Sequence, residues 1–310
     1  MDLQRQIVSL LQSLAPEEGY NLTALPSVRL LRSNRPLART PVLYDPGIVI
    51  VCQGCKRGYF RGNCYIYDAQ QYLAVSVPVP FTMETDASPE KPLLAIYLHL
   101  DFKLAADMIL QLEEFKTSVK KVSSPESMVS SPVGAELNET VFRFLQALGK
   151  SPSAEILGPL LLRELYYHFL TGEQGNVIRS ALTSKGRFGE ISKVLQFIHL
   201  NYASSLNLEV LAGKARMSTP TFLSHFKHVT GITPIQYIKS VRLHQARMLM
   251  VRQSKTALDS SLAVGYESSS QFNREFKRLF GLPPGQEARR MRKEFAIPPA
   301  HDSTGFISSH

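Results

Sequence analysis

Cysteine is scarce in this chain: 310 residues hold three, Cys52, Cys55 and Cys64. The N-terminal stretch also lacks the positive n-region, apolar run and cleavage site of a secretory leader. Three thiols in that setting fit a reducing cytoplasm better than a disulfide framework. Long hydrophobic runs are missing as well. No segment reaches the ~18 uninterrupted apolar residues of a membrane helix, which sets aside a bilayer-spanning class. Histidine is nearly absent where a metal-binding barrel would need it, since His99 is the only one between residues 25 and 115. A catalytic metal asks for two or three His and a carboxylate around one ion. His99, between Leu98 and Leu100 on an expected strand, reads instead as a hydrogen-bonded structural residue. A Gly-rich phosphate loop, a Ser nucleophile elbow and a paired-carboxylate setting are also missing. The reading is of a protein that is not an enzyme, with no metal and no cofactor.

Acidic residues are in short supply only in one part of the chain. Residues 186–295 carry 17 basic and 7 acidic side chains, whereas the other 200 carry 18 and 19. The whole net charge of +9 therefore sits on the C-terminal third. A basic surface confined to one region supplies the sequence-independent phosphate term of nucleic-acid binding, through counterion release. A solvated basic face alone would be the plainer explanation, but the same region also repeats itself. Ser218, Phe222, Phe226, Lys227, Gly231 and Pro234 recur in order as Ser268, Phe272, Phe276, Lys277, Gly281 and Pro284. Each copy reads as a helix begun by Ser, with two Phe one turn apart facing inward, and ended by Gly and Pro. A solenoid would need three or more copies to bury a continuous core, so two copies argue for a paired module.

Each copy predicts a helix-turn-helix. Gly186 to Ser204 forms a supporting helix, Leu208 to Ala215 a first helix, and Thr219 to Thr230 the helix offered to a DNA groove. Ile235 to Arg252 is expected as a long connecting helix with a basic outer face, on which Lys239 would meet phosphates. Ala257 to Val264 and Ser268 to Phe280 repeat the pair. Exposed residues near the start of each second helix enter the major groove. In the first unit these are Thr219, Pro220, Leu223 and Ser224, with His225 beside them, a set poor in strong hydrogen-bonders. In the second they are Ser269, Ser270, Gln271, Asn273 and Arg274, where Arg suits guanine and Gln and Asn suit adenine. The second helix is expected to dominate base discrimination, and Arg274 to reach DNA rather than pair with Glu267 or Asp259.

From about residue 187 to 293 the chain resembles the paired DNA-binding domain of the AraC/XylS transcription regulators. Val264-Gly265-Tyr266, Phe276-Lys277 and Gly281 to Pro284 carry the likeness. Two places depart from that pattern. Ser260-Ser261 stands where an aliphatic residue and Ala are usual, which should weaken packing. Glu287-Ala288 replaces an aromatic-Arg pair, for which Arg289-Arg290 could substitute.

The N-terminal part has another texture. Ile7, Leu10, Leu11 and Leu14 space a short amphipathic helix, and from Val28 to Asp101 short apolar strands alternate with Gly, Pro and Asp turns. Closely spaced short strands imply a barrel or sandwich, and helices follow after Asp101. Residues 25–180 resemble the cupin-type N-terminal domain of one branch of AraC-type regulators, which implies a sensing barrel with helices that carry a dimer contact. The fold class is thus α+β, a cupin-like β-barrel with flanking helices followed by an all-α double helix-turn-helix. The domains are read as 1–180 (barrel about 25–101, helices 102–172), a linker near Thr171 to Gly186, 186–295 for DNA, and a flexible tail at 296–310. Barrel interiors are either packed or hold a small-molecule effector, and a pocket is expected here. Leu137, Val141, Phe144, Leu145 and Leu148, with Leu160, Leu161, Leu165 and Tyr166, suggest the seam of a homodimer.

Cys52, Cys55 and Cys64 fall in one expected hairpin. Structural burial, an oxidant or electrophile sensor and a metal site are all open readings. Lys56, Arg57 and Arg61 nearby favour thiolates, which makes the three a candidate thiol sensor. The resulting expectation is a cytoplasmic, sequence-specific regulator that binds double-stranded DNA, with RNA polymerase as a further partner and no membrane. Whether it activates or represses is left open. The competing readings are a basic architectural or RNA-binding protein, and a catalytic cupin fused to a DNA module.

Overall fold

The structure is a computed structural model that describes residues 2–115, 125–183 and 186–294. The tail expected at 296–310 lies outside the described residues. Helix α1 (Leu3–Leu14) leads into nine strands: β1 (Gly19–Leu22), β2 (Val28–Ser33), β3 (Leu37–Tyr44), β4 (Gly47–Gln53), β5 (Cys55–Phe60), β6 (Asn63–Asp68), β7 (Gln71–Val75), β8 (Val79–Asp86) and β9 (Leu93–His99). Helix α2 (Phe102–Glu114) and strand β10 (Met128–Pro132) follow, then α3 (Ala135–Leu148), α4 (Ser153–Ile156), α5 (Gly158–Thr171) and α6 (Gly175–Leu182). The strands form one antiparallel sheet in the order β1-β2-β9-β4-β7-β6-β5-β8-β3, with β10 added on β7. It curls into a half-barrel. Helical periodicity does not reveal β10, a short strand held by register with β7 from Met128 opposite Val75 to Pro132 opposite Gln71.

Strand β4 shows how the sheet organises the domain. Its residues from Gly47 to Cys52 are all buried, the mark of a strand covered on both faces. Period-two alternation sends Val49 and Val51 into the barrel interior, and Ile48, Ile50 and Cys52 to the outer face. There α1, α2, α3 and α5 cover them, with Leu11, Phe144, Leu145 and Leu165 fully buried. The apolar stripe on α3 read as a dimer seam is therefore largely the chain's own core. Of the residues read for that seam, Leu160 stays well exposed, at 63%.

The barrel interior is packed. Beside Lys56 it holds a cavity of about 60 Å³, lined by Tyr20, Leu31, Met83 and Leu93 among others. That is well below the roughly 300 Å³ at which ligand pockets begin.

The C-terminal part comprises α7 (Gly186–Asn201), α8 (Leu208–Lys214), α9 (Thr219–Thr230), α10 (Pro234–Arg252), α11 (Ala257–Ala263), α12 (Ser269–Phe280) and α13 (Pro284–Glu294). The stretch read as a linker contains α6, whose Ile178, Ala181 and Leu182 are buried. The two helix-turn-helix units are packed differently. In the first, Ile191, Leu195, Phe222 and Phe226 join Val49, Leu73, Val77 and Tyr97 of the barrel in one continuous core. The second has a core of its own, built on Val264, Phe272, Phe276, Phe280 and Met291.

Helix α10 corrects an expectation. Thirteen of its nineteen residues are buried, so it is a central strut rather than a helix with a solvated basic face. Ile235, in its first turn, is 51% exposed. Arg247 is completely buried. Its guanidinium lies 3.4 Å from Glu287 of α13 and 4.2 Å from the Phe280 ring centre, and it donates to the Pro41 carbonyl of β3 at 3.2 Å. Glu287, which departs from the pattern of the resembled family, is thus the buried counter-ion of the strut, and Arg290 pairs with it too.

Candidate nucleic-acid interface

Local sequence chemistry fixes both candidate reading helices. Ser268 caps α12 by accepting from the Gln271 N–H at 3.3 Å, whereas Ser218 before α9 bonds the Thr221 hydroxyl instead. Gly231 and Gly281 end the helices at φ +79° and +81°, where a residue with a Cβ is strained. The turns are not identical. In the first unit Arg216 takes the left-handed position (φ +54°), two residues before the cap. In the second, Gly265 takes it (φ +83°), three residues before, so Glu267 is an added residue. Arg242 of α10 clamps that second turn, donating to the carbonyls of Tyr202, Gly265 and Ser204 at 2.7–2.9 Å. Nothing in the periodicity of α10 singles out Arg242 for this role.

Ser269, Ser270, Gln271, Asn273 and Arg274 all lie exposed along the first turns of α12, while Phe272 and Phe276 point into the core. Arg274 makes no ion pair among the described residues, with Glu267 or with Asp259. Gln271 donates to Glu275 at 3.2 Å. That carboxylate also binds Lys239 at 2.6 Å and accepts from the Tyr266 hydroxyl at 2.7 Å. Burial pushes the Glu275 carboxyl up, but the bonds from Lys239, Tyr266 and Gln271 outweigh it and hold it below its ordinary value. Lys239, expected at the phosphates, is therefore committed to anchoring α12.

On α9 the exposures are graded. Pro220 and Ser224 are exposed, and Thr219, Leu223 and His225 are half-buried. His225 is engaged, with its Nε2 2.6 Å from Arg187 Nη1. Partial burial, then the charges of Arg187 and His228, lower its pKa and keep the ring neutral. Lys227, His228, Lys277 and Arg278 are exposed near the ends of the two helices.

The three cysteines differ in exposure. Cys52 faces the helix-covered side of β4, and burial pushes its thiol up to about 12. Cys55 is also raised, chiefly by desolvation and against the pull of Arg57. Arg57 is bound to Asp86 and Glu84, and Lys56 turns inward to Tyr44. Two of the three charges meant to create thiolates are thus taken up elsewhere. Cys64 is exposed on β6, and no group of three or more metal-ligating side chains gathers among the described residues.

A curled antiparallel sheet joined to two helix-turn-helix units defines the class of two-domain DNA-binding regulators. Residues 24–177 match the family model of the AraC-type transcriptional regulator N-terminus, and residues 211–290 match that of a helix-turn-helix domain. The chain belongs to the AraC family of transcriptional regulators. It is similar to the thermoregulatory protein LcrF of Yersinia pestis, with 26% identity over 74% of this chain and 77% of the relative. The transcriptional activator RclR of Escherichia coli K12 is 35% identical over 28% of this chain and 30% of its own. The structure of ToxT from Vibrio cholerae shares the fold at TM-score 0.59 and 12% identity, covering 85% of this chain and 98% of that one. The protein is accordingly a DNA-binding transcriptional regulator with an N-terminal regulatory region. No helix among the described residues is long and apolar enough to cross a membrane.

Proposed function

We propose that the protein is a cytoplasmic regulator whose helices α9 and α12 enter two successive major grooves on one face of the duplex, with α12 dominating base readout. The observation that carries this reading is the contrast between the two helices. Arg274 and Asn273 are exposed on α12 without an intramolecular ion pair, whereas α9 offers Thr219, Pro220, Leu223, Ser224 and an engaged His225. Arg and Asn donate to guanine and adenine edges, and Pro and Leu do not. Residues 186–295 act as the DNA-binding domain and residues 1–180 as the regulatory one, which receives the effector signal and passes it to RNA polymerase through the bound DNA domain. Two copies pair through the apolar residues that the core leaves outside on α4 and α5, among them Ile156, Leu160 and Tyr167. Sedimentation of the full chain at micromolar concentration should then report a dimer that Leu160→Glu dissociates.

Gel shifts with Arg274→Ala test the readout. Affinity for the specific site should fall about tenfold or more while binding to scrambled DNA changes little. An equal loss on both duplexes would reduce Arg274 to a phosphate contact. On the specific fragment, footprints should show protection in two patches about 34 Å apart, one turn of DNA.

A further inference from the structure

Gln271 stands in the first turn of α12 with an exposed side chain whose amide is already held. Its Nε2 donates to Glu275 Oε1, one helical turn further on, at 3.2 Å. A carboxylate only accepts, so the NH2 end of the amide is the end that faces Glu275, and the carbonyl oxygen is turned away from it. An unrestrained Gln turns over freely and presents either end. Here one of the two is chosen. This is the one side-chain hydrogen bond of Gln271 among the described residues, which leaves Oε1 and one amide N–H unused.

Glu275 can set that choice because it is itself fixed. Its side chain is 13% exposed. Lys239 of α10, the buried strut, reaches Oε1 at 2.6 Å, and the Tyr266 hydroxyl donates to Oε2 at 2.7 Å. Tyr266 is in turn set edge-on against Phe272, with ring centres 5.3 Å apart, and the Arg242 guanidinium lies over its ring. Burial opposes ionisation of Glu275, but the bonds from Lys239, Tyr266 and Gln271 outweigh it, so the group is a carboxylate at neutral pH. A protonated acid could bond either end of the amide, whereas the ionised one takes only the nitrogen. The first unit is built differently. There Thr221 and His225 occupy the places of Gln271 and Glu275 in the repeat, and His225 is taken by Arg187.

The fixed amide selects a base by its chemistry. In the major groove adenine and cytosine present an amino group, N6 or N4, while guanine and thymine present the acceptors O6 and O4. An outward carbonyl oxygen bonds the first two and is repelled by the others. Adenine gains a second bond, from the remaining amide N–H to N7. Setting the amide beforehand also removes part of the rotamer entropy that a long side chain loses on binding. We propose that Glu275 is a positioning residue for DNA recognition: held by Lys239 and Tyr266, it fixes the Gln271 amide so that α12 demands an amino-bearing base, adenine before cytosine, opposite that side chain. This role presupposes that α12 is a reading helix. It makes the preference at one base pair depend on a carboxylate that itself makes no contact with DNA.

The test is selection of bound duplexes from a randomised library by the full chain, followed by sequencing. In the wild type one base pair under α12 should favour adenine, then cytosine, over guanine and thymine by about fivefold or more, and Gln271→Ala should flatten that pair alone. Glu275→Gln keeps the shape but offers both a donor and an acceptor, so the Gln271 amide can turn over. Its preference at the same pair should drop below about twofold, through gain of guanine and thymine, while the pair read by Arg274 and the affinity for scrambled DNA stay as in the wild type. Glu275→Ala, which removes the partner outright, should relax the same pair. A carboxylate that merely supported the fold would instead weaken all sequences alike when replaced, and that result would overturn the positioning role. So would an amino preference retained in either Glu275 variant. A Gln271-dependent preference for guanine or thymine in the wild type would overturn the orientation of the amide without any change to Glu275. An unaltered profile in Gln271→Ala, with Arg274→Ala still relaxing its own pair, would remove Gln271 from the readout. Failure of α12 as a reading helix registers separately, since neither Gln271→Ala nor Arg274→Ala would then change a base preference.

Discussion

At the scale of single residues, Lys56 is the plainest case of chemistry altered by place. Its side chain is 2% exposed, makes no ion pair among the described residues, and bonds the Tyr44 hydroxyl at 3.2 Å. Burial lowers its pKa to about 7. A lysine depressed in the folded state binds its proton more readily when unfolded. Its contribution to stability is therefore present at high pH and is lost as pH falls from the unfolded value towards about 7. Lys56→Met should stabilise the protein, and by on the order of 2 kcal/mol more at pH 6 than at pH 9, in urea melts at the two pH values. A gain independent of pH would mean that the lysine is not buried as a charge. The thiols give a second test by the same reasoning. Iodoacetamide at pH 8 should label Cys64 first, Cys55 slowly and Cys52 only after unfolding, as read by mass spectrometry. Rapid labelling of native Cys52 would show that its thiol is not held in the core.

At the scale of elements, what was legible was what the chain punctuates. Gly231, Gly281 and Ser268 mark ends of α9 and α12 to within a residue, because caps and left-handed stops are local chemistry. The candidate reading residues were legible for the same reason: they follow from where α12 begins and which way its Phe residues face. Strand β10 was not, because its reason to be extended is a partner more than fifty residues away in β7. Nor was the burial of α10. Arg and Glu in a helix read as a solvated face, and only the packed structure reveals that Arg247 and Glu287 neutralise one another inside it. That pairing makes a sharp prediction. Glu287→Ala leaves a buried guanidinium without its counter-ion and should cost about 3–5 kcal/mol, whereas the double variant Arg247→Met with Glu287→Leu should be close to neutral or stabilising. Urea denaturation of the three proteins decides it. A double variant as unstable as the single one would show that shape rather than charge governs the α10–α13 contact.

At the scale of the whole molecule, the two helix-turn-helix units are similar in sequence and unlike in attachment. The first shares a core with the barrel. The Tyr237 hydroxyl donates to the Pro78 carbonyl at 2.7 Å, His199 holds that hydroxyl at 2.8 Å, and Ser127 donates to the Val229 carbonyl at 2.7 Å. The second keeps its own core and meets the barrel across a cleft, through Arg247 on Pro41 and Arg35 on Lys293. Elements in one core open together, while a unit with a separate core opens at its own free energy. Native-state hydrogen exchange on the full chain should therefore give the amides of α7 and α9 the same opening free energy as those of β4 and β9. Those of α11 and α12 should exchange faster. Disrupting the shared core by Tyr237→Ala should lower protection in the barrel and in the first unit together and leave α12 nearly unchanged. If α9 instead exchanges with α12, the first unit is only docked on the barrel, and the asymmetry between the two reading helices must lie in their side chains alone.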